Sequence, residues 1–207
     1  MSAPTYQPLN EVARVITGLS ARAVAPYKAD FDTKIAPLRL LKGSGLTLSG
    51  DIVLDDAELV YPERVNDLDR YLLKEGDVVL LTRGSRIRTG LVTALIAKER
   101  VVVSSNFVVV RTDPARMLGE VLVAYMRSDA GRETLEQGTV GAVIPHLPAP
   151  QLRALRVPVP RSEVQEQIAV AYRAGKAAHQ GTQALAEQQK RTMEAHLMHM
   201  MRGDAAC

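Results

Sequence analysis

The sequence predicts a mixed α/β domain over residues 1–155, followed over residues 156–207 by one long C-terminal α-helix that pairs with a partner helix. Three observations carry this. Short apolar, β-branched runs alternate with glycine-rich or polar turns as far as Arg111. Helical spacing first becomes convincing after Asp113-Pro114. From Ser162 to Arg202 there is no proline, and Gly203 supplies a stop.

In chain order, Leu9 to Ile16 is apolar and β-branched, and V-A-R-V-I within it reads as a first strand leading into the loop T-G-L-S-A-R. Residues 19–34, with Arg22, Lys28 and Lys34, read as an excursion from the core. Leu38 to Leu41 is a short strand, and Lys42-Gly43-Ser44-Gly45 a turn. The acidic stretch from Asp51 to Glu63 belongs to the surface, with a short strand near Leu59–Tyr61. After the turn Leu73 to Asp77, the continuous apolar run V-V-L-L-T is a buried strand. It opens into Arg83-Gly84-Ser85-Arg86-Ile87-Arg88-Thr89-Gly90, a flexible loop rich in hydrogen-bond donors. The runs L-V-T-A-L-I-A, V-V-V and F-V-V-V-R read as further strands, which would make residues 77–111 a β-meander. Leu118, Leu122, Tyr125 and Met126 share a helix face, and Ser128 caps a second helix through Glu136. Residues Gly138 to Pro150 look irregular; within them Gly138 to His146 is expected to pack the domain against the helix, with backbone contact to DNA as the alternative.

The C-terminal helix has the clearest signals. Pro158 and Pro160 hold the chain extended before it. Ser162, three residues ahead of Gln165, makes a capping-box pattern. At 1.5 Å per residue the helix would be about 60 Å long, against about 11–12 residues for an ordinary one. So long a helix needs a partner. Val164, Ile168, Ala171, Gly175, Ala178, Thr182 and Leu185 follow the 4-3 spacing of a coiled-coil seam. Beyond Leu185 that frame runs into Gln189, Thr192 and His196, while Met193, Leu197, Met200 and Met201 form a second, adaptable stripe suited either to the dimer core or to docking on another surface.

Composition narrows the function. The chain of 207 residues is 46% hydrophobic and 24% charged, enough for a real core, and its net charge of +3 permits nucleic acid without requiring it. Cys207, the single cysteine, excludes a disulfide framework. Neither a membrane span nor a signal pattern is visible, so a cytoplasmic protein with no membrane partner is expected. With no tryptophan and two phenylalanines, a base-stacking single-strand binder is disfavoured. No cofactor is implied. His146, His179, His196 and His199 form no ligand cluster, so no metal is expected. No N/D-P-P-Y/F motif of an adenine methyltransferase occurs, and the only D-x-K, Asp32-Thr33-Lys34, lacks an upstream acidic partner. Catalytic residues are therefore not assigned, and no helix-turn-helix signature is present.

The order of the segments L-K-E-G-D-V-V-L-L-T-R-G-S, S-S-N-F-V-V-V-R, E-V-L-V-A-Y-M-R-S, G-T-V-G-A-V-I-P-H-L and L-R-V-P-V-P-x-x-E-V-Q-E-Q-I-A closely resembles the specificity subunit of type I restriction–modification enzymes, from about Leu9 to Met201. That resemblance implies a target-recognition domain followed by a long helix. The usual subunit holds two such units in tandem: each domain reads half of a bipartite double-stranded DNA site, and the two helices pack antiparallel as a spacer. It implies a non-catalytic subunit that docks modification subunits, which methylate adenine at N6, and through them a restriction subunit. This sequence holds one domain and one helix, so a half-subunit is implied, paired with an identical chain or a different half. Its target would be two half-sites around a nonspecific spacer.

For DNA contact the candidates are Arg83, Ser85, Arg86 and Arg88, since arginine forms bidentate bonds to guanine or binds phosphate. Ser105 and Asn106 either present an amide to an adenine edge or merely stabilise a turn. Arg22 and Lys42 are candidate phosphate contacts in loops. The competing reading is a non-catalytic coiled-coil dimer acting as a protein-interaction or anti-restriction component.

Overall fold

The computed structural model describes residues 4–27, 36–84, 86–141 and 146–202. By its contacts the chain divides into two compact units, Met1–Ile168 and Ala169–Cys207. The first unit is a mixed α/β domain, and the second is the body of a helix.

Three sheets build the first unit. Strand β1 (Thr5–Pro8) pairs antiparallel with β10 (Arg156–Val159). A four-stranded antiparallel sheet has the order β2 (Ala13–Thr17), β9 (Phe107–Thr112), β6 (Val78–Leu81), β7 (Arg88–Leu91). A second four-stranded sheet has the order β3 (Val24–Pro26), β5 (Glu58–Pro62), β4 (Leu38–Leu41), β8 (Val101–Val103), in which only β4 and β8 run parallel.

Period-2 alternation decides which side chain enters which core. Leu41, Val101 and Val103 turn to one side and pack with Ile16, Val79, Leu81, Phe107 and Val109 of the antiparallel sheet. Leu38, Leu40 and Val102 turn the other way, into a smaller core with Leu19 and Val60. Burial on both faces explains why β8 reads as an unbroken V-V-V. On β6 and β9 the alternate residues Val78, Leu80, Val108 and Val110 are all buried too. Their face of the sheet is approached by helix α4 (Gly119–Arg127), and α5 (Asp129–Gln137) follows after Ser128, whose hydroxyl accepts the Gly131 N–H. Helix α7 covers Ser162–Met201, 40 residues, as the proline-free stretch predicts.

Several expectations fail locally. The strand V-A-R-V-I is β2, shifted by one residue to Ala13–Thr17, and the apolar residues ahead of it form one helical turn, α1 (Leu9–Val12), which brings Leu9 and Val12 into the core together. The run L-V-T-A-L-I-A is not a strand: β7 ends at Leu91, and the Thr93 hydroxyl accepts the Ile96 N–H to start the short helix α3 (Ala94–Ala97). Residues 77–111 are no meander, because β8 leaves the antiparallel sheet to pair with β4. The reading of Gln165 as half of a capping box also fails. Its buried amide donates to the Arg116 and Pro160 carbonyls, both at 2.9 Å, and its Oε1 accepts the Leu118 N–H at 2.9 Å. Gln165 thus ties the start of α7 to the loop ahead of α4. A helical turn, α2 (Leu68–Tyr71), and a short helix, α6 (Ala149–Ala154), were not foreseen, nor were β1, β3 and the pairing of β10.

Candidate nucleic-acid interface

The strand registers bring distant loops to one rim. Strands β2 and β6 both end beside the start of β9: Thr17 pairs with Val108, and Leu81 with Phe107. The parallel strands β4 and β8 end together at Leu41 and Val103. The turn Ser104–Asn106 links the end of β8 to the start of β9, so all four strands finish around it. The Ser104 N–H donates to Leu41 O at 3.1 Å, and the Thr82 N–H to Asn106 O at 2.9 Å. Leu19 N–H donates to Val103 O at 2.8 Å. A Cβ on Gly18 would lie 2.1 Å from Ser104 O, so only glycine lets β2 leave the sheet this close to the turn.

Six of the eight sequence-predicted DNA residues lie at this rim or beside it: Lys42 after β4, Arg83 and Arg86 between β6 and β7, Arg88 at the start of β7, and Ser105 and Asn106 between β8 and β9. Arg22 does not join them, because it precedes β3, whose Val24 pairs with Pro62 at the end of β5 away from Leu41. Ser85, the eighth, lies outside the described residues. The arginines are not equivalent. Arg83 and Arg86 are exposed and, among the described residues, neither forms an ion pair; the same holds for Arg22. Arg88 is half-buried, sits in β7 rather than in a loop, and donates through Nη1 to Leu46 O at 2.5 Å. Lys42 pairs with Glu58, which offsets its charge. Arg83 also meets His146 in a β-bridge, and the Leu147 N–H donates to Thr82 O at 3.0 Å, so the chain ahead of α6 is stitched along this rim.

Beside Arg86 the rim deepens into a groove of about 660 Å³. Arg86, Arg88, Arg127 and Arg132 line it, with Glu136 as the acidic residue, together with Thr89 and with Thr139, whose hydroxyl donates to Leu135 O at 3.0 Å. Arg127 closes the last turn of α4 and donates to Thr89 O at 3.0 Å and Leu48 O at 3.3 Å. Sequence reading missed Arg127 and Arg132. Both sit on helices, where an arginine is ordinarily a solvated charge. An excess of guanidinium over carboxylate suits a phosphate-bearing polymer.

At the opposite ends of β6 and β9, Asp77 is buried and paired with Arg111 at 2.8 Å. Donating to that carboxylate raises the Arg111 guanidinium above its ordinary range. This pair fixes the strands whose other ends carry Arg83 and Asn106. Among the described residues no group of three or more His, Cys, Asp or Glu is arranged to hold a metal ion. No helix there is long and apolar enough to cross a membrane.

In α7 the predicted seam divides. Val164 and Ile168 are half-buried, whereas Ala171, Gly175, Ala178, Thr182 and Leu185 are exposed, as are Met193, Leu197, Met200 and Met201.

Three solved structures share this architecture. The type I restriction–modification S subunit from M. genitalium superposes with a TM-score of 0.60 at 14% identity, over 97% of this chain and 46% of that one. The HsdS subunit from Thermoanaerobacter tengcongensis gives 0.57 at 17%, over 94% and 48%. A chain from a structural study of complex assembly and conformational transition of the type I R-M system gives 0.60 at 17%, over 99% and 47%. The chain has the S-subunit fold. It spans just under half the length of these three. The fold includes the long helix as well as the α/β domain. No protein-family model matches the sequence, and no curated protein sequence matches it.

Proposed function

We propose that this chain is a half-specificity unit of a type I restriction–modification complex. Residues 1–155 read one half of a bipartite double-stranded DNA site. Residues 156–207 pair with the helix of a second unit, from an identical chain or a different half, and set the distance between half-sites. The unit is non-catalytic and needs no cofactor. It directs N6-adenine methylation and restriction by docked modification and restriction subunits, in the cytoplasm.

The observation that carries this reading is the convergence of four strand ends on one rim, which gathers Lys42, Arg83 and Arg86, with Arg127 and Arg132 in the adjoining groove, from distant parts of the sequence. Arg83 and Arg86, exposed and without ion pairs among the described residues, are the principal contacts; Ser105 and Asn106 stand beside them on the turn that orders the rim. Lys42 is a phosphate contact at its edge, Arg22 a phosphate contact away from the rim, and Ser85 a further candidate contact. The likeness of fold to S subunits supports the assignment, and the exposed series Ala171, Gly175, Ala178, Thr182 and Leu185 supports helix pairing, with Val164 and Ile168 continuing that seam. The alternative of a purely protein-binding dimer has no comparable support.

The test is Arg83→Ala with Arg86→Ala, leaving Arg88 to hold Leu46 O. Each phosphate contact adds about −0.9 to the slope of log affinity against log salt, so losing both arginines should flatten that slope by about 1.8. Fluorescence anisotropy with labelled duplex DNA reads both quantities. Unchanged affinity and slope would contradict the assignment.

A further inference from the structure

An exposed leucine alone needs no explanation, but Leu48 is held in place as few surface leucines are. Its side chain is 71% exposed on the wall of the arginine-lined groove, whereas Met126 and Leu135 of the same groove are buried. The loop that carries it is closed on itself. The Thr47 N–H donates to Asp51 O at 2.9 Å, the Asp51 N–H to Thr47 Oγ1 at 2.9 Å, and the Gly50 N–H to Thr47 O at 3.1 Å. The Ser49 hydroxyl donates to the Asp51 carboxylate, and Gly50 takes the φ of +78° that the tight turn requires. Two guanidiniums clamp the loop from outside: Arg88 on Leu46 O at 2.5 Å and Arg127 on Leu48 O at 3.3 Å. The backbone at Leu48 is therefore ordered before any ligand arrives, which lowers the entropy lost on contact.

We infer that Leu48 is a specificity-determining residue that covers the C5-methyl group of a thymine in the DNA half-site. The inference rests on the reading of the rim as a DNA surface and adds to it a base-reading element that carries no charge. Arginines on the groove wall position the duplex through phosphates or guanine edges, and a fixed apolar side chain among them meets a base edge. In the major groove the thymine methyl is the apolar group on such edges, so a leucine there distinguishes thymine from the other bases. Arg88 and Arg127 take a second role as positioning residues: they aim Leu48 through its neighbouring carbonyls.

The experiment uses the full chain and a pool of random-sequence duplexes. Wild type is used to select a bound sequence, and affinities are then measured for wild type and Leu48→Ala. The substitution lies on an exposed loop tip and leaves the fold intact. Leu48→Ala should bind the selected duplex about tenfold more weakly, the scale of one lost base contact, with the salt slope unchanged. Replacing one thymine by deoxyuridine should weaken wild type by a similar factor and leave Leu48→Ala unaffected. If Leu48→Ala selects the same sequence at the same affinity, or if no single deoxyuridine weakens wild type, the inference is overturned while the rim reading stands. If wild type selects no duplex at all, the rim reading falls and this inference with it.

Discussion

Replacing Asp77 by alanine should destabilise the first unit by about 3 kcal/mol, a value set by what the carboxylate holds. Asp77 is 1% exposed and accepts Arg111 Nε at 2.9 Å, Arg111 Nη2 at 2.8 Å and the Lys74 N–H at 2.8 Å. After truncation the guanidinium keeps the carbonyls of Leu72 at 2.8 Å and Arg70 at 3.5 Å, but its charge is unbalanced. Breaking a buried pair from one side costs about 3–5 kcal/mol. The Arg111 side chain is 22% exposed, so water relieves part of this and the lower end applies. Asp77→Asn keeps acceptors for Lys74 and for one arginine N–H, and about half the loss is expected. Urea unfolding at one fixed protein concentration measures both, the fixed concentration guarding against a dimer contribution. A loss below about 1 kcal/mol for Asp77→Ala would refute the claim that this pair fixes β6 and β9. The pH dependence has a definite sign. A guanidinium raised above its ordinary value stabilises fully below that value and loses the effect only as pH rises through the folded one, so this contribution is flat through the neutral and mildly alkaline range.

Other expectations test neighbouring parts of the account. Gly18→Ala places a methyl 2.1 Å from Ser104 O and 2.6 Å from Val103 O, backbone that cannot move without breaking the rim, so it should cost more than about 2 kcal/mol in the same urea assay. Ala171→Asp with Ala178→Asp puts charge into the exposed helix series; light scattering should show a smaller assembly, while unfolding of the first unit stays unchanged. Asp69 is held below the usual carboxylate range by its hydrogen bond from Lys74, so any stability it adds is present above the ordinary aspartate value and lost as pH falls through the lowered one. The pair is exposed, and Asp69→Asn should leave the urea midpoint where it was.

What sequence made legible was local. Prolines 158 and 160 and the stop at Gly203 bracket α7, the four-residue apolar run of β6 stands out, and the Ser128 cap separates α4 from α5, each decided by residues close in the chain. Thr93 was equally local, yet the apolar run around it masked a helix cap as strand. The β1–β10 pairing joins residues some 150 positions apart, and nothing nearby encodes it. The rim shows both cases. Arg83 and Asn106 are recognisable as loop residues, but that they meet follows from Leu81 pairing with Phe107 and Leu41 with Val103, which is long-range register. Arg127 and Leu48 enter the site only because a helix end and a loop tip pack against β7, which no spacing rule reveals.

The central claim is tested most directly by co-expressing this chain with an N6-adenine methyltransferase subunit and mapping methylated adenines along DNA. The account predicts methylation at a bipartite motif, symmetric if two identical chains pair, and its loss with Arg83→Ala and Arg86→Ala. Stable association of the two proteins with no methylated motif, in the presence of a second half-unit as well as without it, would contradict the account.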